Sequence, residues 1–255
     1  MNDFDHRHDV PQRPVRAREP AFNVPRSALA LIVVLAAIQL GRALLSPAND
    51  EWVLLAFSFI PARYDLPQAL DGIAIPGFDL PGARVWTFVS HMLLHGDWIH
   101  LGINCLWMLA FGSVVARRLR AARFLLLSAL AAAGGAVANL ALHWGEFSLL
   151  IGASGAVSGQ MAGAVRLMFA GGGSLGTLNQ QPYERVQALG LAEMFRNRGA
   201  LVFLAVWFVI TIFAGAVSLG PPGEEARIAW EAHVGGFAVG LVLFGILDPR
   251  RRRPL

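Results

Sequence analysis

The 255-residue chain has no lysine, one cysteine and few charges of either sign, with only 15% of residues charged. A soluble domain carries about 25% charged residues. That shortfall, beside 55% hydrophobic residues, excludes an ordinary soluble domain. The lone Cys105 excludes an intramolecular disulfide; it stands in an apolar run, where a free thiol packs as a small hydrophobe. All 21 basic residues are arginine, a bias of base composition more than of mechanism. The first apolar run starts late and lacks a convincing cleavage site, so a cleavable signal peptide is not expected. Motifs of the form His-Glu-x-x-His are also missing.

What is present is apolar sequence in runs of about 20 residues, the length that crosses a hydrocarbon core of ~30 Å. The reading is an all-α polytopic membrane protein with six spans. These run from about Ser27 to Leu45, Ile99 to Ala116, Arg123 to Leu142, Leu149 to Phe169, Leu201 to Leu219 and Ala229 to Leu247. Residues 1–26 are polar, basic and proline-containing and read as a disordered tail; 27–247 form the membrane domain; 248–255 form a basic C-terminal tail. With the N-terminus in the cytoplasm, seventeen arginines fall on the cytoplasmic side against four outside, Arg42, Arg63, Arg84 and Arg227. That bias puts both termini inside, with Arg42 snorkelling outward from the first span. The 46–90 stretch is long for a connection and contains Trp52 to Ile60, too short to span, so a structured interfacial loop is expected there. The 170–200 loop, Gly-rich at first, reads as a cytoplasmic linker with a short surface helix.

Helix parity sends the second, fourth and sixth spans from outside to inside. Near their starts lie His100 and Asn104, Ser154, and His233. Intramembrane polar residues are functional candidates by default. Ser154, in Gly152-Ala153-Ser154-Gly155, is a nucleophile candidate; a serine hydroxyl needs a base, and His233 supplies one at similar depth. His100 and Asn104, four apart on one helix face, can donate hydrogen bonds to a developing oxyanion, as can the Ser154 amide. Glu231 is two residues from His233 on another face and no intramembrane acid is placed to orient the ring, so a dyad is the better reading than a triad. Gly155, Gly159 and Gly163 on the fourth span, and Gly236 and Gly240 on the sixth, have the spacing that lets membrane helices approach closely. Such an approach would bring Ser154 and His233 within hydrogen-bond reach.

Two other readings compete. His91, His95 and His100 could be zinc ligands of a membrane hydrolase, but no buried carboxylate base accompanies them. A non-catalytic protein that binds membrane segments would have no need for both the serine and the histidine.

The chain resembles the rhomboid intramembrane serine proteases of the six-span bacterial type. The resemblance rests on Trp86, His91, His95, His100 and Asn104 in the 86–104 stretch, on Gly152-Ala153-Ser154-Gly155, and on His233 with Gly236 and Gly240, in correct order from about 84 to 247. It implies that Ser154 is nucleophile and His233 base, that His100 and Asn104 line the oxyanion hole, and that the long first loop packs beside the bundle. It further implies transmembrane protein substrates in a lipid bilayer, no cofactor, no metal and no nucleic acid, and a bacterial inner membrane. The sequence departs from the family at two places. Trp86 is followed by Thr87 where many members have an arginine that braces the loop, and Ser158 stands four residues after the nucleophile where some members have an aromatic ring.

Overall fold

A computed structural model of the chain describes residues 24–65, 75–170, 186–216 and 229–250. Residues 1–23 of the N-terminal tail and 171–185 of the 170–200 linker lie outside the described residues, as do 66–74, 217–228 and 251–255. The described residues are helical, apart from loops and one isolated antiparallel bridge between Phe59 and Leu150. The first four helices are α1 (Arg26–Ala43), α2 (Pro47–Phe57), α3 (Ala83–Ser90) and α4 (Trp98–Trp107). A wide π-turn, Met108–Gly112, carries α4 into α5 (Ser113–Leu142). Then come α6 (Ser154–Met168), the single turn α7 (Leu191–Met194), α8 (Arg198–Ala216) and α9 (Trp230–Leu247). Helices Arg26–Ala43, Trp98–Leu142 and Trp230–Leu247 are long and apolar enough to cross a membrane, and Arg198–Phe213 is a shorter apolar helix. The protein is a polytopic helical membrane bundle.

Local chemistry sets several boundaries. The Asp97 side chain caps α4, accepting the His100 amide at 2.8 Å. Ser46 caps α2, with Pro47 at its first position, where the missing N–H does no harm. The helical run from Trp98 to Leu142 bends at Arg120, whose φ of 64° lies in the left-handed region. The chain therefore reverses at Arg120, inside the arginine-rich stretch that the sequence marks as the end of the second span.

The centre of the bundle is α6. Every residue from Gly155 to Leu167 is buried. Against it pack α5 and α9 at backbone distance. A Cβ on Gly236 would collide with the Gly155 carbonyl, and one on Gly240 with the Gly159 backbone. Between α5 and α9, a Cβ on Gly135 would sit 2.7 Å from the Ala232 carbonyl oxygen. In membranes, where apolar burial between helices brings little, such close approach is what holds helices together. The glycines predicted to pack, Gly155, Gly159, Gly236 and Gly240, all lie in this seam. By contrast, α8 is largely exposed and meets α9 through the stacked Trp207 and Phe237 rings, 4.9 Å apart.

Two expectations change. The fourth helix begins at Ser154, not Leu149, because Leu150 exchanges backbone hydrogen bonds with Phe59 at 2.8 and 3.1 Å and holds the preceding residues extended. Arg42 does not snorkel outward: it is buried, paired with Asp50 at 2.7 Å and donating to the His95 carbonyl at 2.7 Å. The described residues of the first loop include two α-helices. The Trp52 segment forms α2, and α3 was not anticipated.

Candidate active site

Ser154 is the first residue of α6, and the helix starts without a side-chain cap. The N–H groups of a first helical turn have no partners within the helix, so donors gather around this serine. The Gly152 φ of 114° lets the chain turn into the helix. The same glycine makes room for a ring, since a Cβ there would lie 2.7 Å from His100 Nε2. The segment entering α6 therefore runs directly along the His100 imidazole.

The first loop holds that segment from the other side. The His91 carbonyl accepts the Gly152 amide at 3.0 Å, and His95 Nε2 accepts the Ala153 amide at 3.3 Å. The His91 Nδ1 lies 2.9 Å from the Thr87 carbonyl and donates to it. Burial pushes both imidazoles down to about 4, so both are neutral near pH 7. A neutral ring is what His95 needs to accept from the Ala153 N–H. These two histidines shape the floor of the site. Among the described residues no three His, Cys, Asp or Glu side chains cluster as a metal site.

His100 Nδ1 faces the Gly96 amide at 3.5 Å, which leaves Nε2 to carry the proton on the side of Gly152. Asn104 is buried and turns one carboxamide N–H back to the His100 carbonyl at 3.0 Å; its second N–H remains a donor. His233 is the fourth residue of α9. The residue before it, Ala232, has its carbonyl wedged between Gly135 of α5 and Gly155 of α6. Sequence neighbours of Ser154 and His233 thus touch. The hydroxyl and the ring are not hydrogen-bonded to each other among the described residues; catalytic hydrogen bonds often tighten only once substrate is bound.

Three side chains around the site were missed as partners. Arg63 is fully buried and donates to the carbonyls of Phe78 (3.0 Å), Ser58 (2.7 Å) and Leu55. Arg42 holds the His95 carbonyl. These two arginines brace the first loop in a chain where Thr87 follows Trp86 and its hydroxyl donates to the Ala83 carbonyl one turn back. Glu231 is buried and bonds Asn139 at 2.8 Å, so its carboxylate is engaged away from His233. Each contact joins residues far apart or of unremarkable spacing, and only the burial of a charged residue in an apolar chain could have flagged them.

Residues 82–250 match the Rhomboid domain family model, a span that contains His100, Asn104, Ser154 and His233. The chain is 30% identical over 169 residues to the rhomboid protease GlpG of Serratia proteamaculans (strain 568), covering 66% of this chain and 50% of that protein. It is 28% identical over 160 residues to the rhomboid protease GlpG of Yersinia pestis (strain Pestoides F), covering 63% of this chain and 47% of that protein. The chain spans about half the length of the relatives it matches.

Proposed function

The chain belongs to the rhomboid family, and on that premise we propose that it is an intramembrane serine endopeptidase cutting membrane-anchored proteins in or near a transmembrane segment. The observation that carries the reading is the glycine seam. Gly155, next to Ser154, and Gly236, one turn after His233, meet backbone to backbone. Polar side chains in an apolar bundle are functional candidates by default, and a hydroxyl with an imidazole is the pair that activation of a serine nucleophile requires.

The Ser154 hydroxyl attacks a substrate carbonyl while His233 takes its proton. The negative charge that develops on the carbonyl oxygen is met by the Ser154 amide, the His100 Nε2–H and the free N–H of Asn104. The protonated His233 then gives its proton to the departing amine, and a water deprotonated by the same ring releases the acyl group from Ser154. No acid assists His233 in this scheme, because Glu231 is committed to Asn139. The substrates are transmembrane proteins reached within the bilayer. Six spans with both termini in the cytoplasm fit the arginine bias of the sequence, and a bacterial inner membrane fits the similarity to the bacterial GlpG proteins.

A fluorophosphonate probe tests the chemistry without a known substrate. The full chain in bilayers becomes labelled, and Ser154→Ala and His233→Ala do not. Equal labelling of wild type and Ser154→Ala, or none of the folded wild type, sinks the reading.

A further inference from the structure

At the start of α9 a chain of polar groups runs from the surface into the bundle. Glu146, exposed, lies 2.9 Å from His143 Nδ1. His143 Nε2 lies 3.4 Å from Glu231 Oε1, and the same oxygen accepts from Asn139 Nδ2 at 2.8 Å. Glu231 is 5% exposed. Both nitrogens of His143 therefore face carboxylate oxygens. Asn139 belongs to α5, His143 ends it and Glu146 follows in the next turn, so the cluster ties the outer end of α5 to the first turn of α9. The mechanism uses none of these groups.

We propose that Glu231 is a positioning residue for His233, acting through the rotation of α9. Two residues along a helix are about 200° apart, so Glu231 faces away from the side that His233 presents to Ser154. It cannot touch the reacting atoms, yet it sets the angle at which the ring is offered. Ala232 between them is already wedged against Gly135 and Gly155, which fixes how close the helix comes. The contacts at Gly236 and Gly240 hold the helix further along, and the Glu231–Asn139 bond fixes the twist of its first turn, where His233 sits. A ring nitrogen roughly 6 Å from the axis moves by about 1 Å for a rotation of about 10°. Displacements of that size at a reacting pair lower rates by about a hundredfold.

This inference rests on the Ser154–His233 reading, and the test separates the two. The full chain is reconstituted in liposomes with a transmembrane substrate, active sites are counted by fluorophosphonate labelling, and kcat per site, KM and thermal stability are measured. Glu231→Ala lowers kcat per site roughly ten- to a hundredfold with KM within about twofold. Glu231→Gln keeps an acceptor for Asn139 and returns kcat to within about threefold of wild type. Unchanged kcat per site in Glu231→Ala, even with a lower melting temperature, overturns the proposal, as does a rise in KM at constant kcat. If Glu231→Ala does not fold, His143→Ala decides instead, since that side chain is 34% exposed. It lowers kcat per site about threefold at constant KM, and an unchanged kcat overturns the proposal. Wild-type turnover that does not depend on Ser154 defeats the proteolytic reading itself; Ser154-dependent turnover untouched in these variants defeats only the positioning role.

Discussion

Gly236→Ala adds one methyl group where α6 and α9 touch. The new carbon would overlap the Gly155 carbonyl, with the Gly155 Cα and C also within 3 Å. Backbone on both sides cannot move aside as a flexible side chain would, so the helices must separate. Overpacking of this kind destabilises by about 1–3 kcal/mol. The change in helix propensity from Gly to Ala works the other way by about 1 kcal/mol, so a net loss of up to about 2 kcal/mol is expected. The effect on activity is larger, because Gly155 adjoins Ser154 and Gly236 lies one turn from His233. Separation on the order of 1 Å lowers turnover by about a hundredfold. Gly41→Ala on α1 is the control: nothing lies within 4 Å of its Cβ position, so it gains only the propensity term, up to about 1 kcal/mol. Melting in detergent and turnover in liposomes are measured side by side. Wild-type turnover and stability in Gly236→Ala would refute the close-contact geometry on which the site depends.

Acid should weaken the fold through His91 and His95. Their pKa falls from 6.5 to about 4 on folding, so the unfolded chain binds more protons between those values. Stability is full above about pH 6.5 and is lost as pH drops toward 4, by roughly 3 kcal/mol per ring. Melting from pH 7.5 to 4.5 shows the slope, and His95→Gln, which keeps an acceptor for the Ala153 amide, flattens it; an unchanged slope in that variant counts against the assignment. At the opposite end of α9, Asp248 pairs with Arg118 at 2.7 Å, both side chains nearly inaccessible. Asp248→Ala removes the carboxylate from a buried guanidinium that keeps its bond to the Val186 carbonyl, and lowers stability by up to about 3 kcal/mol, read as a drop in melting temperature; a melting temperature within a degree of wild type would show the pair to be dispensable.

The parts of this molecule legible in its sequence were those carried by spacing. Glycines four apart announced the α6–α9 seam, and the apolar runs announced the helices. His100, Asn104, Ser154 and His233 stood out because polar side chains in apolar runs need a reason. What could not be read were contacts between distant or unpatterned residues. Arg63 holds three carbonyls of the first loop, Arg42 reaches a carbonyl 53 residues away, and Glu231 bonds a side chain 92 residues away. The start of α6 at Ser154 was hidden for the same reason. Leu149 and Leu150 look helical by composition, and only pairing with Phe59 keeps them extended. An arginine at positive φ, Arg120, is likewise chosen by the chain reversal and not by its own preference.

The central claim is that Ser154 and His233 together break a peptide bond within a membrane. It is tested most directly by reconstituting wild type, Ser154→Ala and His233→Ala in liposomes with a transmembrane protein substrate and following its cleavage. Wild type alone cleaves the substrate, with both variants folded and melting near wild type. Cleavage by Ser154→Ala at the wild-type rate would contradict the claim.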